Sequence, residues 1–315
     1  MANNTRDIKN KIESVENTKQ MTRAMEMVSA AKMKRATEVE EQARLYSKLG
    51  LELMEHLGYI DEPGYDLLEL RPVEDVLVIL VSSDRGLCGS YNSDIFNKTK
   101  KVVSNKELIA RHRVPADRSA PDPNGMPNIN IAAVGKKSAN FAQKNDYDIS
   151  AVFDSMPEDP TFEDILPISE LALQGYKEKD YDRIVVSYAH FENTMSNTVK
   201  IRQVLPISPK DLAAVLDQED REKNEEFPIE TYIFEPNIEE IVETVMPRMV
   251  EVEIYQAIIN AVASEHSSRM IAMKNAKENA EEKVEELTLT YNQARQRAIT
   301  REISEISAGA EALGE

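Results

Sequence analysis

Apolar positions repeat at helical spacing over two long stretches, one at each end of the chain. From Arg248 to Ala308 there is neither Gly nor Pro, and Ala276, Ala280, Val284, Leu287, Tyr291, Ala294 and Ala298 follow at steps of four or three. That spacing puts them on one stripe of a helix. As a single rod the stretch would be about 90 Å long, more than a compact domain encloses, so the stripe demands a partner helix. Met1 to Leu49 is equally free of Gly and Pro, with Ile8, Ile12 and Val15, then Met21, Met25 and Val28, then Ala36, Val39, Ala43 and Tyr46 at the same spacing. Asn4 or Thr5 is the expected N-cap, with Asp7 in the first turn near the positive end of the helix dipole. Because the middle of the chain leaves one helix and returns to the other, the simplest closure is an antiparallel pair carrying a globular domain. Its seam of Ala, Ser and Met favours close approach of the two backbones.

The middle changes period. Asp61-Glu62-Pro63-Gly64 breaks the first helix, and the apolar run Val76 to Val81 has the length of a buried strand. It leads into Ser82-Ser83-Asp84-Arg85-Gly86-Leu87-Cys88-Gly89-Ser90, after which Asn92 or Ser93 caps a helix to about Ala110. Arg111 to Asn128 is rich in Pro, Asp and Asn and reads as an exposed loop. Then come a strand at Asn130 to Val134, a helix at Lys137 to Lys144, a strand at Ile149 to Phe153 and a helix at Thr161 to Lys177 that Pro167 kinks or breaks. Arg183 to Tyr188 and Thr198 to Leu205 read as a hairpin; Asp211 to Glu226 is a charged segment, Tyr232 to Phe234 a last strand, and Asn237 a cap before Pro247. The expected fold class is mixed α+β/α/β: a long antiparallel coiled coil of the N- and C-terminal helices with an inserted central α/β open-sheet domain. Its parts are 1–60 for the N-terminal helix, 73–236 for the α/β domain with its Pro-rich loop at 111–128, and 237–315 for the C-terminal helix.

Composition narrows the class of function. No apolar run exceeds six residues and MANNTRD has no signal-like core, so neither direct membrane insertion nor secretion is expected. Cys88 is the single cysteine, which excludes an internal disulfide. A net charge of −18 argues against nucleic acid. Residues 1–35 run the other way, eight basic side chains against four acidic ones. A basic helix on an acidic chain points to an acidic protein partner, beside the simpler reading of a solvated face.

Candidate chemistry is thin. Gly86-Leu87-Cys88-Gly89 is neither GxGxxG nor a P-loop, and Gly135-Lys136 has Asn130 where a Walker motif needs glycine. His56, His112, His190 and His266 have no metal-ligand spacing, and Ser264-Glu265-His266 cannot align as a triad, since neighbours on a helix point about 100° apart. No cofactor, metal or catalytic residue is implied.

Several stretches together resemble one family. These are Ile8 to Ala36, Ser83 to Gly89, Val134 to Lys137, Phe191 to Met195, Phe234-Glu235-Pro236, and Ser264 through Arg269-Met270, Asn279-Ala280, Tyr291-Asn292, Ala294-Arg295-Gln296 and Glu302-Ile303 to Gly309-Ala310-Glu311-Ala312-Leu313. In this order they closely resemble the gamma subunit of F-type ATP synthases.

The resemblance implies a non-catalytic rotor shaft that couples ion flow through a membrane sector to ATP synthesis or hydrolysis at beta-subunit sites. Implied partners are the alpha and beta subunits of the catalytic ring, the epsilon subunit and the c-subunit ring. The implied location is peripheral, on the cytoplasmic face of a bacterial inner membrane. Arg295 and Gln296 match a pair that meets a beta-subunit catch loop, and Arg23, Lys32, Lys34 and Arg35 would face acidic lever segments of the beta subunits. Asp84 and Arg85 belong to a motif read as structural or as part of the contact with epsilon and the c ring. The Pro-rich loop is longer than the simplest bacterial members need, and Cys88 alone excludes the thiol switch of chloroplast-type relatives. Two other readings are a coiled-coil scaffold unrelated to a motor, and an enzyme using Ser83, Asp84 or Cys88.

Overall fold

The computed structural model of the chain describes residues 2–57, 66–112, 125–154, 156–207 and 238–312. The two long helices are present, α1 at Ala2–Leu57 and the C-terminal helix, here α6, at Ile238–Ala312. Pro247 lies inside α6, which continues past it. Because α1 starts at Ala2, neither Asn4 nor Thr5 caps it; both fall within the first turn. The expected charged segment at Asp211 to Glu226, the strand at Tyr232 to Phe234, the cap at Asn237 and the break at 61–64 lie outside the described residues.

The chain divides into two compact units, Met1–Ala30 with Arg269–Glu315, and Ala31–Ser268. In the first unit, Lys19 pairs with Glu281 and Glu26 with Lys277, each at 2.7 Å. Residue numbers rise on one helix as they fall on the other, so the pair is antiparallel. Up to Ala30 the sheltered positions of α1 include Thr5, Ile8, Ile12, Val15, Lys19, Thr22, Glu26 and Ser29, which alternate steps of three and four, with Met25 and Ala30 beside them. Met21 and Val28, expected in the seam, are 66% and 53% exposed. The heptad phase selects their neighbours Thr22 and Ser29, whose smaller side chains admit a closer helix. On α6 the stripe from Ala276 to Ala294 is sheltered as expected, but Ala298 is exposed, because every position from Arg295 to Ala308 is.

The second unit contains a five-stranded sheet in the order β3-β2-β1-β4-β5, from β1 (Asp75–Val81), β2 (Asn128–Val134), β3 (Asp148–Phe153), β4 (Arg183–Asn193) and β5 (Ser196–Leu205). The first four run parallel and β5 is antiparallel to β4. Val76, Val78 and Leu80 face one layer, formed by α2 (Tyr91–Val103) and α4 (Lys136–Lys144). Leu77, Ile79 and Val81 face the other, formed by α5 (Phe162–Lys177) and the α6 residues Met246, Val250, Ile254, Ala257 and Ala261. A strand buried on both faces must be apolar throughout, which is why β1 lacks alternation. Each fully buried Leu or Ile there contributes about 1.5 to 3 kcal/mol.

Local chemistry sets the boundaries. The helix expected to run to Ala110 instead stops at Ser104, and a short α3 (Lys106–Ile109) restarts it, since the Asn105 side chain accepts the Glu107 N–H at 3.0 Å. At the start of α5, the Asp164 carboxylate accepts both the N–H and the hydroxyl of Thr161, which holds its pKa below the usual range. Pro167 lies inside this helix without ending it. Asn193 Oδ1 accepts the Met195 and Ser196 N–H groups, both at 2.9 Å, and so shapes the β4–β5 turn.

Candidate subunit interface

In a parallel α/β sheet, ligands bind beyond the carboxyl ends of the strands, so the loop after β1 is the first place to look. Here that edge is closed by the chain's own groups. Ser82 N–H donates to Val134 O at 2.9 Å, Ser138 N–H to Ser82 Oγ at 2.7 Å, and Lys137 N–H to Ser83 O at 3.2 Å. Asp84 Oδ1 accepts the Lys136 N–H at 2.8 Å, which ties the loop to the start of α4. Ser83 is buried and its hydroxyl donates to Arg85 O at 2.7 Å; Cys88 is buried and its sulfur accepts from Asn92 Nδ2 at 3.3 Å. No base faces either nucleophile among these contacts, and the geometry is that of a braced loop. No cluster of metal-ligating residues occurs among the described residues.

The basic residues of α1 fall into two kinds. Lys32 is engaged within its own unit, hydrogen-bonded to Glu158 on the connection between β3 and α5. That bond, reinforced by the Lys32 and Arg85 charges, lowers the pKa of Glu158. Arg85 stands 3.9 Å from the same carboxylate and is 85% exposed at its side chain. Lys34 is exposed, 3.8 Å from Glu38 one turn on, a spacing worth only a few tenths of a kcal/mol. Arg23 and Arg35 are exposed.

Arg295 and Gln296 begin the stretch of α6 that has no sheltered position. Just beyond them Ile299, Ile303 and Ile306 are 48%, 60% and 65% exposed. Steps of four and three put these isoleucines on one face, an apolar stripe without a partner helix. A reading of the sequence that stops at the shared seam misses this stripe. Its signal is that apolar residues at helical spacing recur at Ile299, Ile303 and Ile306, past the stripe that ends at Ala298. Met21 and Val28, two turns apart on one face of α1, are exposed as well.

Comparison with known proteins agrees with this architecture. A family model described as ATP synthase matches residues 4–313. The ATP synthase gamma chain of Roseiflexus sp. (strain RS-1) is 37% identical over 314 residues, covering 99% of each chain. That of Christiangramia forsetii is 37% identical over 312 residues, 98% of this chain and 99% of its own. Among solved structures, the rotor of Euglena gracilis mitochondrial ATP synthase superimposes with a TM-score of 0.60 at 19% identity, over 95% of this chain and 100% of the other. The central stalk and c-ring structure of the Tetrahymena thermophila mitochondrial enzyme gives 0.53 at 24% identity, over 81% and 99%. With helices at both ends, a braced sheet domain between them in sequence and near full-length identity above 30%, this chain belongs to the ATP synthase gamma chain family.

Proposed function

We propose that the chain is the central rotor shaft of an F-type ATP synthase, itself non-catalytic, coupling ion translocation to ATP synthesis or hydrolysis on the beta subunits. The observation that carries this reading is the end of α6: a single helix exposed on every side, with an isoleucine stripe directly after Arg295 and Gln296. Such a stripe needs a surrounding protein, and a ring of alpha and beta subunits supplies one on all sides. The exposed Arg23, Lys34 and Arg35 of α1 offer a second, basic contact suited to acidic segments of the beta subunits. One asymmetric rod cannot meet three identical catalytic subunits alike. Each site is therefore biased by a different contact energy, and rotation passes that bias to the next.

Within this reading Arg295 and Gln296 pair with a beta-subunit loop, Arg23, Lys34 and Arg35 face the ring, and Lys32 meets it only in exchange for Glu158. Asp84 and Arg85 belong to the outer domain, with Asp84 bracing α4 and Arg85 available to epsilon or the c ring. No described helix is long and apolar enough to cross a membrane. In this reading the chain is peripheral to the membrane, on the cytoplasmic face of a bacterial inner membrane.

The test is assembly and turnover. The chain purified from its host should bring alpha, beta, epsilon and c subunits with it. An Arg295→Ala/Gln296→Ala variant should still assemble but lose about tenfold in coupled ATPase rate, the weight of one charge-assisted hydrogen bond. Removal of residues 291–315 should lower coupling further. A chain recovered alone, or turnover indifferent to both changes, ends the rotor reading.

A further inference from the structure

Three basic side chains from three separate elements meet one carboxylate beside α1. Glu158 accepts a hydrogen bond from Lys32 of α1 and stands 3.9 Å from Arg85 on the loop after β1. His266 of α6 is near enough for the positive form of its ring to act on the same carboxylate. The connection that carries Glu158 is fastened on both sides: Met156 packs against the core, Pro160 is buried, and the Asp164 carboxylate holds Thr161 at the start of α5. Glu158 between them is exposed. The site is a cationic socket that the chain fills with an acid of its own.

The strength of the contact decides what it can do. In the pair of Arg202 with Glu253 the acid is 5% exposed, so its release would strand a buried charge. Glu158 is 55% exposed at its side chain, and solvent screening keeps such a pair weak, a bias of about two- to fivefold. Lys32 is therefore drawn toward Glu158 without being fixed there. Lys32 and Arg85 also bring two permanent cations to one carboxylate, so the socket still attracts an anion while Glu158 is in place.

We propose that Glu158 is an autoinhibitory plug, which competes for Lys32 with a carboxylate on another chain of the assembly, so that α1 presents Lys32 to that chain only while Glu158 is released. The inference deepens the rotor reading and rests on it, since it concerns when one basic contact of α1 becomes available. The occupant is a carboxylate of a protein held in the same assembly. Glu158 is tethered beside Lys32 and so has a high effective concentration, which a dilute free anion does not match and a neighbouring bound chain does.

The experiment is zero-length carbodiimide coupling on the complex purified from its host, with the amide-linked peptides quantified by mass spectrometry. Such coupling joins an amine to a carboxylate in contact with it, and Lys19 to Glu281 and Lys277 to Glu26, both at 2.7 Å, are internal controls. In the parent, Lys32 is expected to couple both to Glu158 and to an Asp or Glu of another chain. Glu158→Gln should raise the interchain product about threefold, the bias of one exposed pair. Glu158→Asp keeps the charge but is one methylene too short to reach Lys32, so it should raise that product as well. If Glu158→Asp behaves like the parent, local negative charge and not the plug sets the partition, and the proposal is overturned. It is equally overturned if the control amides form while Lys32 gives no interchain amide in either variant, or gives the same amount as the parent. Recovery of the partner subunits separates these outcomes from failure of the rotor reading, in which the chain comes back alone.

Discussion

Replacing Gly135 by alanine is expected to destabilise the chain by about 3 to 5 kcal/mol, through two costs that add. Gly135 has φ +93° and ψ 152°, a conformation that residues with a side chain rarely adopt. A Cβ there would also lie 2.3 Å from the Ser82 carbonyl oxygen. Ser82 has no freedom to retreat, because its N–H is bonded to Val134 O and its hydroxyl accepts the Ser138 N–H. The methyl group therefore pushes apart the β1 and β2 loops that close the carboxyl edge of the sheet. Gly86→Ala is the matched control: a Cβ there meets nothing within 4 Å, so a change within about 0.5 kcal/mol is expected. Urea denaturation of the three proteins decides it, and equal midpoints for Gly135→Ala and the parent would refute the bracing role of this loop.

Acid is expected to remove about 3 kcal/mol of stability through His112 by pH 4. Burial pushes its pKa down to about 4, opposed first by the hydrogen bond to Arg71 O and then by the Asp182 charge, while the Arg183 and Arg71 charges act in the same direction as burial. Nε2–H donates to Arg71 O at 2.6 Å, whereas Nδ1 is buried without a partner among the described residues, none of which offers an acceptor to a proton added there. Because the folded pKa lies below the unfolded value of 6.5, this stability is whole above pH 6.5 and is lost as pH falls toward 4. The lowered carboxylates Glu158, Asp164, Glu192 and Glu281 lose stability in acid too, at lower pH. His112→Gln keeps a donor for Arg71 O and has nothing to titrate, so the difference between its denaturation midpoints and the parent's isolates the histidine. Parallel curves from pH 7.5 to 4 would show that His112 does not carry the acid response.

Much of the architecture follows from local pattern. Long runs without Gly or Pro make rods, six apolar residues from Val76 to Val81 make a strand covered on both faces, and turn residues such as Asn193 place the hairpin. The α6 stripe from Ala276 to Ala294 was equally legible, since small and apolar side chains recur there without competing neighbours. The sheet's closed carboxyl edge was not, because Gly135 and Ser82 are 53 residues apart and meet only when β1 and β2 pair. Nor was the engagement of Lys32, whose acid Glu158 is 126 residues away.

The two long helices draw the same distinction. Their existence, length and need for a partner are written in composition and period, because helix formation is governed by residues within a turn or two of each other. Which face turns inward is not. Hydrophobicity favours Met21 and Val28, yet Thr22 and Ser29 are buried, since a close antiparallel partner rewards small volume and an unbroken heptad phase over apolar area. The same partner supplies Glu281 and Lys277, which let Lys19 and Glu26 occupy seam positions that no single-helix pattern would assign to charges. From Arg295 onward no position of the described helix is sheltered, and which side of it meets another chain is decided by that chain and not by the seam pattern.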